Sequence, residues 1–262
     1  MELGLRDKVV IVTGANAGIG LATVRLFLEE GAKVVGASRS LNALNEIGSD
    51  RLVTVAGDLS TPEGNDRMIE KAIEAFGKID VLVNNMGIVQ VRNGFLSISD
   101  EDWNGLLEAN FMSMVRASRA AIPYMLKQNS GVIINIASEV GRQPDSMIPD
   151  YSVSKTAMLS LSKALSNEFG PKGIRVNAVS PGSIRTPLWD NPGGFADSLA
   201  ANLQMNKDDA IAHYARNLRK LPLERLGTAE EVASVIAFLA SDQASFVTGS
   251  EFMVNGGSLK EI

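Results

Sequence analysis

The chain contains no cysteine. Disulfides, thiolate metal sites and a thiol nucleophile are therefore excluded. The one histidine, His213, stands in a polar stretch with no carboxylate at useful spacing. That argues against a Ser-His-Asp hydrolase and against a metal cluster. No run approaches the ~18 apolar residues of a membrane-crossing helix, so no membrane partner is expected. Met1-Glu2-Leu3-Gly4-Leu5-Arg6-Asp7 has no apolar segment after a basic start, unlike a signal peptide, and the expected location is cytoplasmic. Basic residues are outnumbered, 25 Lys and Arg against 30 Asp and Glu, for a formal charge of −5. With a pI near 5.1, general nucleic-acid binding is not expected. Internal repeats, linkers and low-complexity tracts are missing too.

What remains is an ordinary globular composition, 45% apolar and 21% charged over 262 residues. One domain of that length buries about three quarters of its unfolded surface. Apolar β-branched runs predict strands near 8–13, 33–37, 52–56, 79–84, 131–137, 174–179 and 250–254. Helical patterns fill 18–30, 41–46, 63–76, 100–127, 151–169, 196–219 and 229–241. Such alternation requires crossover connections, and hence a doubly wound α/β fold whose seven-stranded parallel sheet carries helices on both faces. One stretch, Ile184 to Leu221, is too long for a simple connection. It opens with Pro187, Trp189, Pro192, Gly193 and Gly194, then turns helical and polar. Long insertions of this kind are commonly lids or binding loops.

Two motifs carry chemistry. Val9-Val10-Ile11-Val12-Thr13 reads as a buried strand running into Gly14-Ala15-Asn16-Ala17-Gly18-Ile19-Gly20 and then a helix. Strand, glycine turn and helix make a phosphate site, because the glycines let a pyrophosphate approach the free N–H groups of the helix end. The spacing is G-x-x-x-G-x-G, not the G-x-G-x-x-G fingerprint. The second motif is Tyr151 and Lys155, four residues apart and therefore on one helix face. An ammonium beside a phenol is expected to lower its pKa and to make it a proton donor or acceptor.

Together with Asp58-Leu59, Asn84-Asn85-Met86-Gly87, Asn110, Ser138 and Pro181-Gly182 followed by Thr186, these motifs resemble the short-chain dehydrogenase/reductase family over nearly the whole chain. Two positions depart from the family pattern. Met86 stands where a small residue is usual, and Asn255 replaces an acid. The resemblance implies a Rossmann-type single domain with a substrate loop at about 184–221. It also implies a dinucleotide held by Gly14, Asn16, Ala17, Gly18, Ile19, Gly20, Ser38, Arg39, Asp58, Leu59, Asn85, Met86, Gly87, Pro181, Gly182, Ile184 and Thr186, with Tyr151 and Lys155. Asp58 is expected to meet the adenine amino group, and Met86 to narrow the adenosine side.

Charge then selects the cofactor. Val34-Val35-Gly36-Ala37-Ser38-Arg39 ends without the acid that would repel a 2′-phosphate. Ser38 and Arg39 can instead donate to one, which favours NADP(H), with NAD(H) possible. By the resemblance, Tyr151 donates the proton and Lys155 lowers its pKa and holds ribose hydroxyls. Ser138 hydrogen-bonds the carbonyl oxygen, and Asn110, unusual inside a helix, holds a water linked to Lys155. Trp189, Leu188, Phe195 and Met147 are read as pocket walls, with Arg92, Arg142 and Gln143 flanking them. Stripes of Ala117, Ala120, Ala121 and Ile122, and of Ala157, Leu161 and Ala164, match helices that pair into a homotetramer in the family. The leading function is an NADPH-dependent oxidoreductase interconverting a ketone, 3-oxoacyl thioesters included, and a secondary alcohol. An NAD-linked alcohol dehydrogenase and a non-catalytic dinucleotide sensor are the alternatives.

Overall fold

The computed structural model describes residues 2–260. Seven parallel strands form one sheet in the order β3-β2-β1-β4-β5-β6-β9. They are β1 (Val9–Thr13), β2 (Lys33–Ser38), β3 (Leu52–Ala56), β4 (Val81–Asn84), β5 (Gly131–Ile136), β6 (Ile174–Pro181) and β9 (Glu251–Val254). Two further strands, β7 (Ile184–Arg185) and β8 (Gly227–Thr228), pair with each other beside the sheet and were not expected.

Side chains alternate across each strand, so each one feeds two cores. Val10 and Val12 of β1, Val34 of β2 and Ile134 of β5 enter one core, packed with Val24 and Phe27 of helix α1 (Gly18–Glu29) and Val232 and Ile236 of α10 (Ala229–Ala240). Ile11, Val35 and Ile133 enter the other, with Met68 and Ile69 of α3 (Pro62–Phe76) and Ala117, Ala121 and Met125 of α5 (Ser113–Gln128). Both faces are therefore covered, which is why the strands are near-continuous apolar runs.

The remaining helices are α2 (Asn42–Asn45), α4 (Asp100–Leu107), α6 (Pro149–Phe169), α7 (Pro187–Asp190), α8 (Phe195–Leu203) and α9 (Lys207–His213). The helix expected over 100–127 is interrupted by a π turn, Glu108–Met112, between α4 and α5. The helix expected over 196–219 is likewise broken. Gln204 takes a left-handed conformation (φ 54°), Asn206 caps α9 by accepting from the Asp209 N–H at 2.9 Å, and a second π turn runs from Tyr214 to Leu218. This segment has a core of its own, with Trp189, Ala196, Ile211 and Ala215 buried and Phe195 and Tyr214 against them. The stretch that reads as polar from the sequence thus has an apolar side, on which Trp189 packs edge-on to Tyr214 at 5.2 Å.

Candidate active site

The strand order reverses between β1 and β4, and a ligand crevice is expected outside the carboxyl ends of the strands at such a point. A cavity of about 1400 Å³ opens there. Gly14, Asn16, Ala17, Gly18 and Ile19 line it from the first turn, and Ser38, Arg39 and Leu59 from the ends of β2 and β3. Asn85, Met86 and Gly87 follow β4; Ser138 follows β5; Tyr151 and Lys155 come from α6. Pro181, Gly182, Ile184 and Thr186 close the far side, under Leu188, Trp189 and Phe195, with Met147 also in the wall. Gly20, Asp58 and Asn110 do not line the cavity.

Close packing explains the glycines. A Cβ on Gly20 would stand 2.3 Å from the Gly14 carbonyl oxygen, so the turn folds back on the helix only if that residue has no side chain. Gly14 itself has φ +63° and lies against the Met86 backbone. Asn85 staples the turn, its amide donating to the Thr13 and Gly14 carbonyls at 2.9 and 3.2 Å. The Thr13 hydroxyl accepts from the Asn85 and Met86 N–H groups, both at 2.9 Å. At the start of α1 no side chain caps the helix and no acid sits in the first turn. Its orphan N–H groups and positive dipole end favour an anion. Asn16, also in the cavity wall, uses its Oδ1 to accept from the Ala43 and Leu44 N–H groups at the start of α2.

Ser138, Tyr151 and Lys155 converge on the same cavity wall. The Lys155 ammonium is buried (3% exposed) and donates to the Ile136 carbonyl at 2.7 Å, with its Nζ 5.4 Å from the Tyr151 ring centre. Burial pushes its pKa down from 10.5 to about 7. Burial pushes the Tyr151 phenol up to about 12, against a smaller opposite pull from its hydrogen bond with Ser138. The direction is opposite to the one expected from Lys155, because desolvation of the phenol sets it. The phenol therefore holds its proton at neutral pH, the form a donor needs.

Asn110 sits in the π turn and is fully buried. Its Oδ1 accepts from the Ile88 N–H at 2.7 Å, and its Nδ2 donates to the Ile88 carbonyl and the Ser154 hydroxyl at 2.9 and 3.2 Å. It thus clips the loop after β4 to α6. Asp58 makes a local turn, accepting from the Ser60 N–H and hydroxyl at 3.0 and 2.7 Å, which holds its pKa low. Its neighbours Gly57 and Leu59 line the cavity.

Arg92, Arg142 and Gln143 are outside the cavity wall, with Val91 and Val140 near them inside it. Arg142 pairs with Glu251 at 2.6 Å. Arg92 is buried in an ion pair with Asp150 at 2.6 Å and a second with Asp102 at 2.9 Å. Asp150, itself inaccessible, also accepts from the Tyr151 N–H. Ala117, Ala121 and Ile122 of the expected stripes face the protomer's own core, while Ala120, Ala157, Leu161 and Ala164 are half-buried or exposed. Glu139 and Arg219 are among the cavity residues that escaped the sequence reading. The only hint of the first is an acid directly after Ser138; the second lies 80 positions away from it.

The fold and site define a dinucleotide-dependent oxidoreductase, and the chain belongs to the short-chain dehydrogenase/reductase family. A family model described as enoyl-(acyl carrier protein) reductase matches residues 14–258. The chain is 39% identical to the uncharacterized oxidoreductase YvrD of Bacillus subtilis (strain 168), with both covered in full. It is 36% identical to the 3-oxoacyl-[acyl-carrier-protein] reductase FabG of Escherichia coli (strain K12), covering 97% of this chain and 98% of that one. Among solved structures, L-sorbose reductase from Gluconobacter frateurii, complexed with NADPH and L-sorbose, superposes with a TM-score of 0.93 at 34% identity over both whole chains.

Proposed function

We propose that this protein is an NADP(H)-dependent reductase that converts a ketone to a secondary alcohol, with Tyr151 as proton donor. The observation that carries the reading is the convergence of Ser138, Tyr151 and Lys155 on a cavity that also contains the uncapped start of α1. The cavity fits a dinucleotide by its own chemistry. It has free N–H groups for a pyrophosphate, a turn with no room for side chains, and Ser38 and Arg39 as donors where no acid stands. The NADPH bound by the sorbose reductase supports the choice of cofactor.

NADP(H), when bound, supplies the hydride. Tyr151 gives its proton to the oxygen that becomes the alcohol. The Ser138 hydroxyl donates a hydrogen bond to that oxygen as negative charge grows. Lys155, with its pKa near 7, holds ribose hydroxyls and, in its protonated form, a positive charge beside the phenol. Asn110 keeps the loop after β4 and α6 at fixed separation. The lid core of Trp189, Phe195 and Tyr214 excludes water from this end of the cavity.

FabG and the sorbose reductase support two substrate types, 3-oxoacyl thioesters and ketoses. A cytoplasmic homotetramer is the assembly we infer from the family resemblance. Following NADPH absorbance over a panel of ketones, 3-oxo esters and ketoses tests the reading. Consumption with at least one is expected, and none with any would refute it.

A further inference from the structure

Arg219 stands at the end of the lid segment, directly after the π turn, its N–H bonded to the Tyr214 carbonyl at 2.8 Å. Its side chain reaches the cavity. There its Nη2 donates to Oε1 of Glu139 at 2.6 Å. Glu139 follows Ser138 in the chain, and its side chain is only 5% exposed. The other oxygen of that carboxylate accepts from the Ser258 hydroxyl. It also lies 2.9 Å from where a Cβ on Gly182 would be, so the Glu139 side chain has little freedom.

The two partners differ in what they have left to offer. Both oxygens of Glu139 are engaged. A guanidinium has five N–H donors in a rigid fork. Arg219 spends one on protein among the described residues, its side chain is 32% exposed, and it lines the cavity. Glu139 therefore acts as a mount, and Arg219 lines the same cavity as Ser138 with guanidinium donors left over.

We propose that Arg219, oriented by Glu139, is a specificity-determining residue that donates to a neutral acceptor oxygen carried by the substrate close to its reacting carbonyl. The proposal rests on the reductase reading above and narrows its substrate class. The acceptor is neutral because Glu139 already balances the guanidinium charge one hydrogen bond away. A substrate carboxylate would meet that carboxylate, whereas a hydroxyl or carbonyl oxygen meets only donors. Ketose hydroxyls and the carbonyl of a 3-oxo ester or thioester share this chemistry.

The test is steady-state kinetics with NADPH on 2-pentanone, ethyl acetoacetate and L-sorbose, for the wild type, Arg219→Met and Arg219→Lys. Hydrogen bonds to charged groups imply that Arg219→Met lowers kcat/KM for the oxygen-bearing ketones, relative to 2-pentanone, by roughly 10- to 100-fold. The loss should lie chiefly in KM, and lysine should restore only part of it. Loss with the ester alone or the sugar alone supports the proposal and names the source; an unchanged ratio for both overturns it. If Arg219→Met fails to fold because Glu139 is left without its partner, the double variant Glu139→Gln/Arg219→Met gives the same comparison. If the wild type reduces none of the three, the reductase reading fails, and thermal shift with ethyl acetoacetate and L-sorbose decides instead. A shift lost in Arg219→Met supports the role; an equal shift, or none in the wild type, overturns it.

Discussion

Replacing Lys155 with methionine should stabilise the fold while removing turnover. The lysine sits 3% exposed with no carboxylate partner among the described ion pairs, and its pKa falls from 10.5 to about 7. At ~1.36 kcal/mol per pH unit, that fall corresponds to about 5 kcal/mol of cost for keeping the ammonium in the folded protein. The sign follows from the two protonation states. Below pH 7 the amine is charged folded and unfolded, and the full cost applies. Between pH 7 and 10.5 the cost shrinks, and above that range it is gone. Methionine removes the cost and keeps a stem of similar length. It also strips the Ile136 carbonyl of its donor at 2.7 Å, a loss of about 1–3 kcal/mol. The net expectation is a gain of about 2–4 kcal/mol at pH 6, vanishing or reversing by pH 10. Urea denaturation of both proteins at pH 6, 7.5, 9 and 10 measures it. A variant less stable than wild type at pH 6, or a difference that ignores pH, would refute the reasoning.

Tyr151→Phe should cut kcat by roughly 10²- to 10⁴-fold while NADPH affinity, read by fluorescence titration, stays within about threefold. Ser38→Asp with Arg39→Leu should shift the NADP/NAD affinity ratio toward NAD by roughly 10- to 150-fold, measured by titrating both dinucleotides. Arg92→Met leaves the buried Asp150 carboxylate without its cation and should cost about 3–5 kcal/mol in chemical denaturation. Because Asp150 also holds the Tyr151 N–H, whatever Arg92→Met protein remains folded should show a lower kcat as well.

The sheet was legible because parallel strands buried on both faces are continuous β-branched runs, and Val9–Thr13 or Gly131–Ile136 admit few other readings. The cavity residues were legible for a different reason. Ser38, Leu59, Asn85 and Ser138 stand at or just after the carboxyl ends of strands, and the fold brings those ends together, while Tyr151 and Lys155 share one face of α6. The break in the lid helix left a mark that went unread: Asn206 with Asp209 three positions later is a helix start. Charge pairing left none. Arg92 and Asp150 are 58 positions apart, and Glu139 and Arg219 are 80 apart, so no local pattern ties them. The Tyr151 pKa was misjudged because a sequence shows the neighbouring charge but not the burial that opposes it.

The π turn at Glu108–Met112 makes this stretch sensitive to chain length in one direction only. A π turn carries one residue more than the α-helical turn it replaces. Deleting one of its residues would produce a more regular helix, continuous from α4 into α5. Each residue of an α-helix turns the chain by about 100°, so everything before the deletion would swing by that angle relative to α5. Asn110 would leave Ile88 and Ser154, and Asp102 would leave Arg92. Regularity and a working site are thus alternatives at this point. Homologues that share the Asn110 clip should tolerate substitutions at the other four positions far more readily than the loss of any one of the five.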